Sequence, residues 1–176
     1  MESVEFERPG TVEEAVNLLQ STTGNAKILA GGTDLLVQLR AHMVEPDVII
    51  DIKDIEETRT LTKNSDGSYT IGAAVAGAEA GDRDDITKDW PGVVEGWELI
   101  GSTQIQGRAS LGGNLCNASP AGDSVPAMVA AGMTVNIAGP SGRRTIPVEE
   151  VTVAPGRTCL ETVSYTHLTL PTKRIV

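Results

Sequence analysis

The order of elements in this sequence predicts a mixed fold of helices and strands, begun by a small layer of parallel strands. Two observations predict it. Up to Asp51 the chain alternates short apolar runs with helix signals in the order β-α-β-α-β, which sets parallel strands side by side with helices packed against them. Further on, strand-like runs are joined by Asn64-Ser65-Asp66-Gly67 and Gly139-Pro140-Ser141-Gly142, the turn chemistry of hairpins. A length of 176 residues suits one domain or two small lobes and is enough for a real core.

Each element has its own signal. Val4-Glu5-Phe6-Glu7-Arg8 alternates apolar and charged residues, the pattern of a short strand with one buried face. Pro9-Gly10 turns the chain, and Thr11-Val12-Glu13-Glu14 is a capping box opening a helix with Val12, Ala15, Val16, Leu18 and Leu19 at helical spacing. Lys27 to Ala30 reads as a strand buried on both sides, Leu35 to about His42 as a helix, and Pro46 to Asp51 as a third strand. Ile55 to Ser68 reads as a polar connection, with Leu61-Thr62 pairing back on a strand at Tyr69 to Val75. Ala76 to Asp85 reads as a loop or a loose helix start. Trp90, Val93, Val94, Trp97 and Ile100 fall at helical spacing within Ile86–Ile100, and both tryptophans are expected to be packing residues. Ser119-Pro120 reads as an N-cap and first helical residue ahead of an apolar helix from Val125 to Ala131. Thr134 to Ala138 and Arg143 to Val148 complete a hairpin. Ser164 to Val176 departs in composition, being basic and Thr-rich, and reads as a non-native tail, with a genuine C-terminal strand as the alternative. The expected organisation is a first lobe over 1–55, a second, incomplete lobe over 56–163 and a tail over 164–176.

Composition narrows the function. Aromatic residues make up only 3%, so the core is expected to be Val, Ile, Leu and Ala. A net charge of -10 argues against nucleic acid or an anionic membrane surface as partner. No apolar run approaches the length of a membrane span, and the first residues lack the charge and apolar regions of a signal peptide. Cys116 and Cys159 form no metal-type cluster, and His42 and His167 have no motif around them; a cytoplasmic protein without disulfides or a metal of its own is expected. No nucleophile–base pair stands out.

Two glycine-rich stretches carry the functional signal. Ala30-Gly31-Gly32-Thr33-Asp34-Leu35-Leu36 runs from a strand through two glycines into a helix, and its backbone N–H groups suit a phosphate without a basic side chain. It is neither a dinucleotide fingerprint nor a P-loop, and the same residues also fit a purely structural turn. Ser110-Leu111-Gly112-Gly113-Asn114-Leu115-Cys116-Asn117-Ala118-Ser119-Pro120-Ala121-Gly122-Asp123 is almost free of large side chains and offers short hydrogen-bonding groups at Ser110, Asn114, Asn117, Ser119 and Asp123; it too fits a solvent-facing loop. The two stretches lie about eighty residues apart and are placed to converge on one extended ligand with a pyrophosphate centre. Places to hold a ligand, without side chains for bond making, match a cofactor that brings its own chemistry.

These motifs, with Thr70-Ile71-Gly72-Ala73-Ala74-Val75, Ile100-Gly101-Ser102-Thr103-Gln104-Ile105 and Arg108-Ala109-Ser110, resemble the FAD-binding medium subunit of molybdenum hydroxylases, the xanthine dehydrogenase and carbon monoxide dehydrogenase type. The resemblance implies an α+β, two-lobed flavin fold of the p-cresol methylhydroxylase and vanillyl-alcohol oxidase type, with non-covalent FAD between the lobes. It implies that Leu29, Ala30, Gly31, Gly32, Thr33, Asp34 and Leu35 wrap the pyrophosphate. Ser110, Gly112, Gly113 and Asn114 would form a second pyrophosphate and ribityl wall, Asp123 would bond a polar part of FAD, and Ile100 would pack near the flavin. It further implies electrons passing from [2Fe–2S] clusters to FAD and on to NAD⁺ or another acceptor, with the iron–sulfur and molybdopterin sites on partner subunits. The chain departs from the family pattern at Ala76 to Gly81, where the family has a longer helix-forming run, and at Gln106-Gly107, where it commonly has Arg-Asn. The alternatives are a non-catalytic nucleotide-binding module, or a truncated fragment without activity of its own.

Overall fold

The structure, a computed structural model, describes residues 4–160 and 164–171, with only the backbone described across 164–170. In the first of its sheets, β1 (Glu5–Glu7), β2 (Ala26–Leu29) and β3 (Val48–Asp51) run parallel in the order β1-β3-β2. The crossovers contain α1 (Val12–Ser21) and α2 (Leu35–Arg40), as the element order predicts. The capping box of α1 is formed: Glu14 N–H donates to Thr11 Oγ1 at 3.1 Å, and Thr11 N–H donates to Glu14 Oε2 at 3.3 Å.

Burial in this sheet differs from the expectation. β1 is exposed at all three positions, with Phe6 54% exposed, and β2 is half-buried up to Leu29. Only β3 is buried throughout. The reason is position: in a three-stranded sheet only the middle strand has neighbours on both sides, and alternation along one strand says nothing about which strand that is.

The second sheet contains β4 (Leu61–Lys63), β5 (Tyr69–Gly72), β6 (Thr134–Gly139), β7 (Gly142–Pro147) and β10 (Ser164–Leu170), antiparallel in the order β4-β5-β10-β6-β7. Both hairpins form where the turn residues place them. The segment set apart as a tail supplies β10 in the middle of this sheet; backbone ladder bonds are blind to composition. The rest of that tail, 172–176, lies outside the described residues. A short antiparallel pair, β8 (Thr152–Ala154) and β9 (Arg157–Thr158), follows a 3₁₀ turn at Val148–Glu150.

Helices fill the space between. The polar connection after Ile55 holds a single-turn α3 (Glu56–Arg59), and the Ala/Gly run becomes α4 (Gly77–Gly81). The helix expected over Ile86–Ile100 is two helices, α5 (Asp84–Asp89) and α6 (Pro91–Glu98), because Pro91 cannot continue an upstream helix and restricts Trp90 before it. Next come α7 (Thr103–Gln106), α8 (Leu111–Asn117) and α9 (Val125–Ala130). One core cluster joins both sheets and these helices, with Ile50 from β3, Ile71 and Val135 from the second sheet, and Trp97, Leu115 and Met128 from helices. On the surface, Arg143 of β7 binds Glu13 of α1 at 3.1 Å and Glu57 of α3 at 3.0 Å, and the Glu57 carboxylate raises its guanidinium above the ordinary range.

Candidate functional site

The first glycine stretch sits where β2 leaves its sheet. Leu29 is buried at the strand end, Ala30 is half-buried and Gly31 is buried. Gly32 has φ 76°, the left-handed region that glycine occupies without strain. Among the described residues, no group accepts from the N–H of Gly31, Gly32, Thr33 or Asp34. Four successive unpaired amides are a surplus of donors, which suits an anionic oxygen-rich group. Asp34 does not cap α2 with its side chain; its carboxylate accepts from Gln38 Nε2 at 2.5 Å instead. Leu35 begins α2 and is half-buried.

The second stretch is folded differently from the open loop its composition predicts. Ser110, 2% exposed, is the N-cap of α8, and its Oγ accepts from Gly113 N–H at 3.1 Å. Asn114 N–H donates to the Ser110 carbonyl at 3.0 Å. The amides of Gly113 and Asn114 are therefore spent within the helix, and Ser110 is a structural cap first. Ser119-Pro120 starts no helix: Ser119 Oγ accepts from Ala121 N–H at 3.2 Å in a turn, and α9 begins only at Val125. A serine two residues before an amide can cap a helix or close a turn, and local sequence does not separate the two. The Asn114 side chain faces that turn, with Ser124 Oγ donating to its Oδ1 at 2.8 Å.

The two stretches meet. A Cβ on Gly31 would lie 2.1 Å from the Arg108 carbonyl oxygen and 3.2 Å from Ala109 Cα, so glycine is what allows the backbones to touch. Arg108 Nε donates to the Gly31 carbonyl at 3.0 Å, and Gln38 Nε2 reaches Asn117 Oδ1 at 3.5 Å. Ala109 is anchored from behind, its carbonyl accepting from Trp97 Nε1 at 3.2 Å and Gly77 N–H at 2.9 Å. Gly31 thus meets Arg108 and Ala109, the two residues before Ser110, and Gln38 of α2 reaches Asn117 at the end of α8. Ile100 is core-packed two residues past α6, and Asp123 is exposed on the turn beside Asn114; among the described residues neither hydrogen-bonds the first stretch. Sequence reasoning missed Arg108 as a bridge, and also Lys53, whose Nζ donates to the Ala30 carbonyl at 3.1 Å and pairs with Asp51 at 2.6 Å. A basic residue beside a glycine motif is the available signal for the first; none marks the second.

Two clefts lie elsewhere. One of about 330 Å³ runs between α1 and the β6–β7 turn, lined by Val16, Gln20 and Arg143; the other lies along Arg8, Asn17 and Ser21. Neither holds a residue of the glycine stretches.

In an α+β scaffold, a strand-end glycine turn with four amides unpaired among the described residues, laid against the residues just before a second glycine-bearing helix, is the kind of feature that suits an anionic ligand. The chain belongs to the family of the FAD binding domain in molybdopterin dehydrogenase, which it matches over residues 2–171. It is 33% identical over 156 residues to the xanthine dehydrogenase FAD-binding subunit of Escherichia coli O157:H7, covering 89% of this chain and 53% of that protein. It is 30% identical over 157 residues to the carbon monoxide dehydrogenase medium chain of Hydrogenophaga pseudoflava, covering 89% and 54%. Among solved structures it superposes with a TM-score of 0.91 on the carbon monoxide dehydrogenase of H. pseudoflava that lacks the Mo-pyranopterin moiety of the molybdenum cofactor, at 28% identity, covering 96% of this chain and 59% of that one. Reconstituted CO dehydrogenase from Oligotropha carboxidovorans gives the same TM-score at 25% identity, covering 98% and 60%. The chain spans about half the length of the curated relatives it matches. Its relatives are flavoprotein subunits of oxidoreductases, and FAD is the cofactor of the family.

Proposed function

We propose that this chain is the FAD-holding part of a medium subunit in a molybdenum hydroxylase complex. The observation that carries the reading is the contact of Gly31 with Arg108 and Ala109, just ahead of the second glycine stretch, with the successive amides of Gly31, Gly32, Thr33 and Asp34 unpaired among the described residues. The donor set fits FAD: a pyrophosphate needs several donors and no acceptor, and backbone N–H groups provide that without cations in a chain of net charge -10. Bound there, FAD supplies the electron-transfer chemistry.

The chain's own residues bind and orient. Residues Leu29 to Leu35 wrap the pyrophosphate. Gly112 and Gly113 leave room for the ribityl chain, Asn114 offers its side-chain amide, and Asp123 accepts from a hydroxyl of the cofactor. Ser110 acts through α8 by fixing its first turn. Ile100 packs behind the site. We assign the iron–sulfur and molybdopterin centres to partner subunits and the role of this chain to passing electrons from [2Fe–2S] clusters through FAD to NAD⁺ or another acceptor. Relatives named as subunits of xanthine and carbon monoxide dehydrogenases support that assignment.

The test is a visible absorbance spectrum after incubation with FAD and desalting, followed by titrations with FAD and with ADP. Retained flavin bands and tighter binding of FAD than of ADP are expected. ADP or ATP bound more tightly than FAD would replace this reading with a nucleotide-binding module.

A further inference from the structure

Two cations hold two successive carbonyls of the glycine turn. Lys53 Nζ donates to the Ala30 carbonyl at 3.1 Å, and Arg108 Nε donates to the Gly31 carbonyl at 3.0 Å. Lys53 is itself fixed by Asp51, 6% exposed, whose Oδ1 accepts from Lys53 Nζ at 2.6 Å and from its N–H at 3.0 Å. Peptide planarity turns these contacts into an orientation. The Ala30 C=O and Gly31 N–H belong to one planar unit and point opposite ways, as do the Gly31 C=O and Gly32 N–H. Holding the carbonyls therefore aims two of the four unpaired amides away from the cations. Arg108 stands on the carbonyl side of the Gly31–Gly32 peptide, so its charge favours an anion at that peptide's N–H, whereas the Lys53 charge is paired with Asp51 and acts by holding the carbonyl.

We propose that Lys53 and Arg108 are positioning residues that pre-set the Gly31 and Gly32 amides for a pyrophosphate they do not themselves touch. The inference rests on the FAD reading given above. It commits to the pyrophosphate and not to the flavin ring. Weakening either clamp should lower affinity for FAD and ADP by the same factor and leave riboflavin, which has no phosphate, unaffected.

The experiment is fluorescence titration of the chain with FAD, ADP and riboflavin for wild type, Arg108→Met, Arg108→Lys, Lys53→Met and Lys53→Arg, with thermal unfolding alongside. Arg108→Met and Lys53→Met are each expected to weaken FAD and ADP about tenfold, the loss of roughly one charge-assisted hydrogen bond. Arg108→Lys and Lys53→Arg are expected to recover most of the loss, because a cationic donor remains. FAD affinity unchanged in both methionine variants would overturn the inference while leaving the FAD site standing. An equal loss for riboflavin would also overturn it, by showing general distortion. Failure of the wild-type chain to bind FAD would remove the FAD reading and the inference together. Where a methionine variant does not fold, Arg108→Gln and Lys53→Gln carry the same comparison.

Discussion

Replacing Gly31 with alanine tests the joint on which the site depends. The added Cβ would sit 2.1 Å from the Arg108 carbonyl oxygen and 2.8 Å from its carbon, both backbone atoms with no rotamer to change. Reaching ordinary contact requires the two segments to part by about 1 Å, and such overpacking typically costs about 1–3 kcal/mol. The same movement stretches the 3.0 Å bond from Arg108 Nε to the Gly31 carbonyl beyond hydrogen-bonding range. A bond to a charged group is worth about 1.5–3 kcal/mol, and this half-buried one belongs at the lower end. A total loss of about 2–4 kcal/mol lowers Tm by roughly 5–15 °C for a chain of this size. If one such bond's worth reaches the ligand, FAD affinity falls about tenfold or more. Thermal unfolding and FAD fluorescence titration read both effects. Gly92→Ala is the control, since nothing lies within 4 Å of its Cβ position. Gly31→Ala with the Tm and FAD affinity of the control would refute the close approach and the shared site built on it.

Other outcomes follow from single contacts. Thr11→Ala removes the cap and one half of the capping box on α1, and should cost about 1 kcal/mol in denaturant unfolding. The tryptophans should behave differently. Trp97 is 1% exposed and bonds the Ala109 carbonyl, whereas Trp90 Nε1 is buried without a partner among the described residues. Trp97→Phe should cost about 2–3 kcal/mol, and Trp90→Phe less than about 1 kcal/mol, because it removes an unsatisfied donor; the reverse order in urea titrations would contradict the packing. Burial, and then the Asp89 carboxylate, push the Tyr69 hydroxyl above its ordinary value of 10.0. The folded state keeps a proton that the unfolded chain releases, so this stability is full below about pH 10 and is lost as pH rises through the folded-state value. Tyr69→Phe should flatten that part of the alkaline loss of stability. Lys63, whose ammonium Asp89 holds above the ordinary value, contributes its own loss in the alkaline range.

Much of the local structure was legible in the residues. The Thr11–Glu14 box, both hairpin turns and the parallel first layer are where the pattern places them, because caps, turns and crossovers depend on residues close in sequence. The helix break at Trp90-Pro91 was legible too, and periodicity alone hid it. The glycine motifs were visible, but their states were not. Ser110 caps a helix while Ser119 closes a turn, and short polar side chains bond whichever backbone group is nearer.

By itself, the sequence determined a family, a glycine turn between a strand and a helix, and an acidic chain. Tertiary structure decided which strand is covered and which surfaces meet. β1 is exposed and β3 buried because one stands at the edge and the other in the middle, a matter of pairing order that alternation does not encode. Gly31 faces Arg108 and Ala109 across a gap too narrow for a methyl group, and Lys53 reaches back from the turn after β3. Contacts between residues 23 and 77 positions apart arise only when the chain is folded, because loop closure brings them together at a cost no local pattern reports.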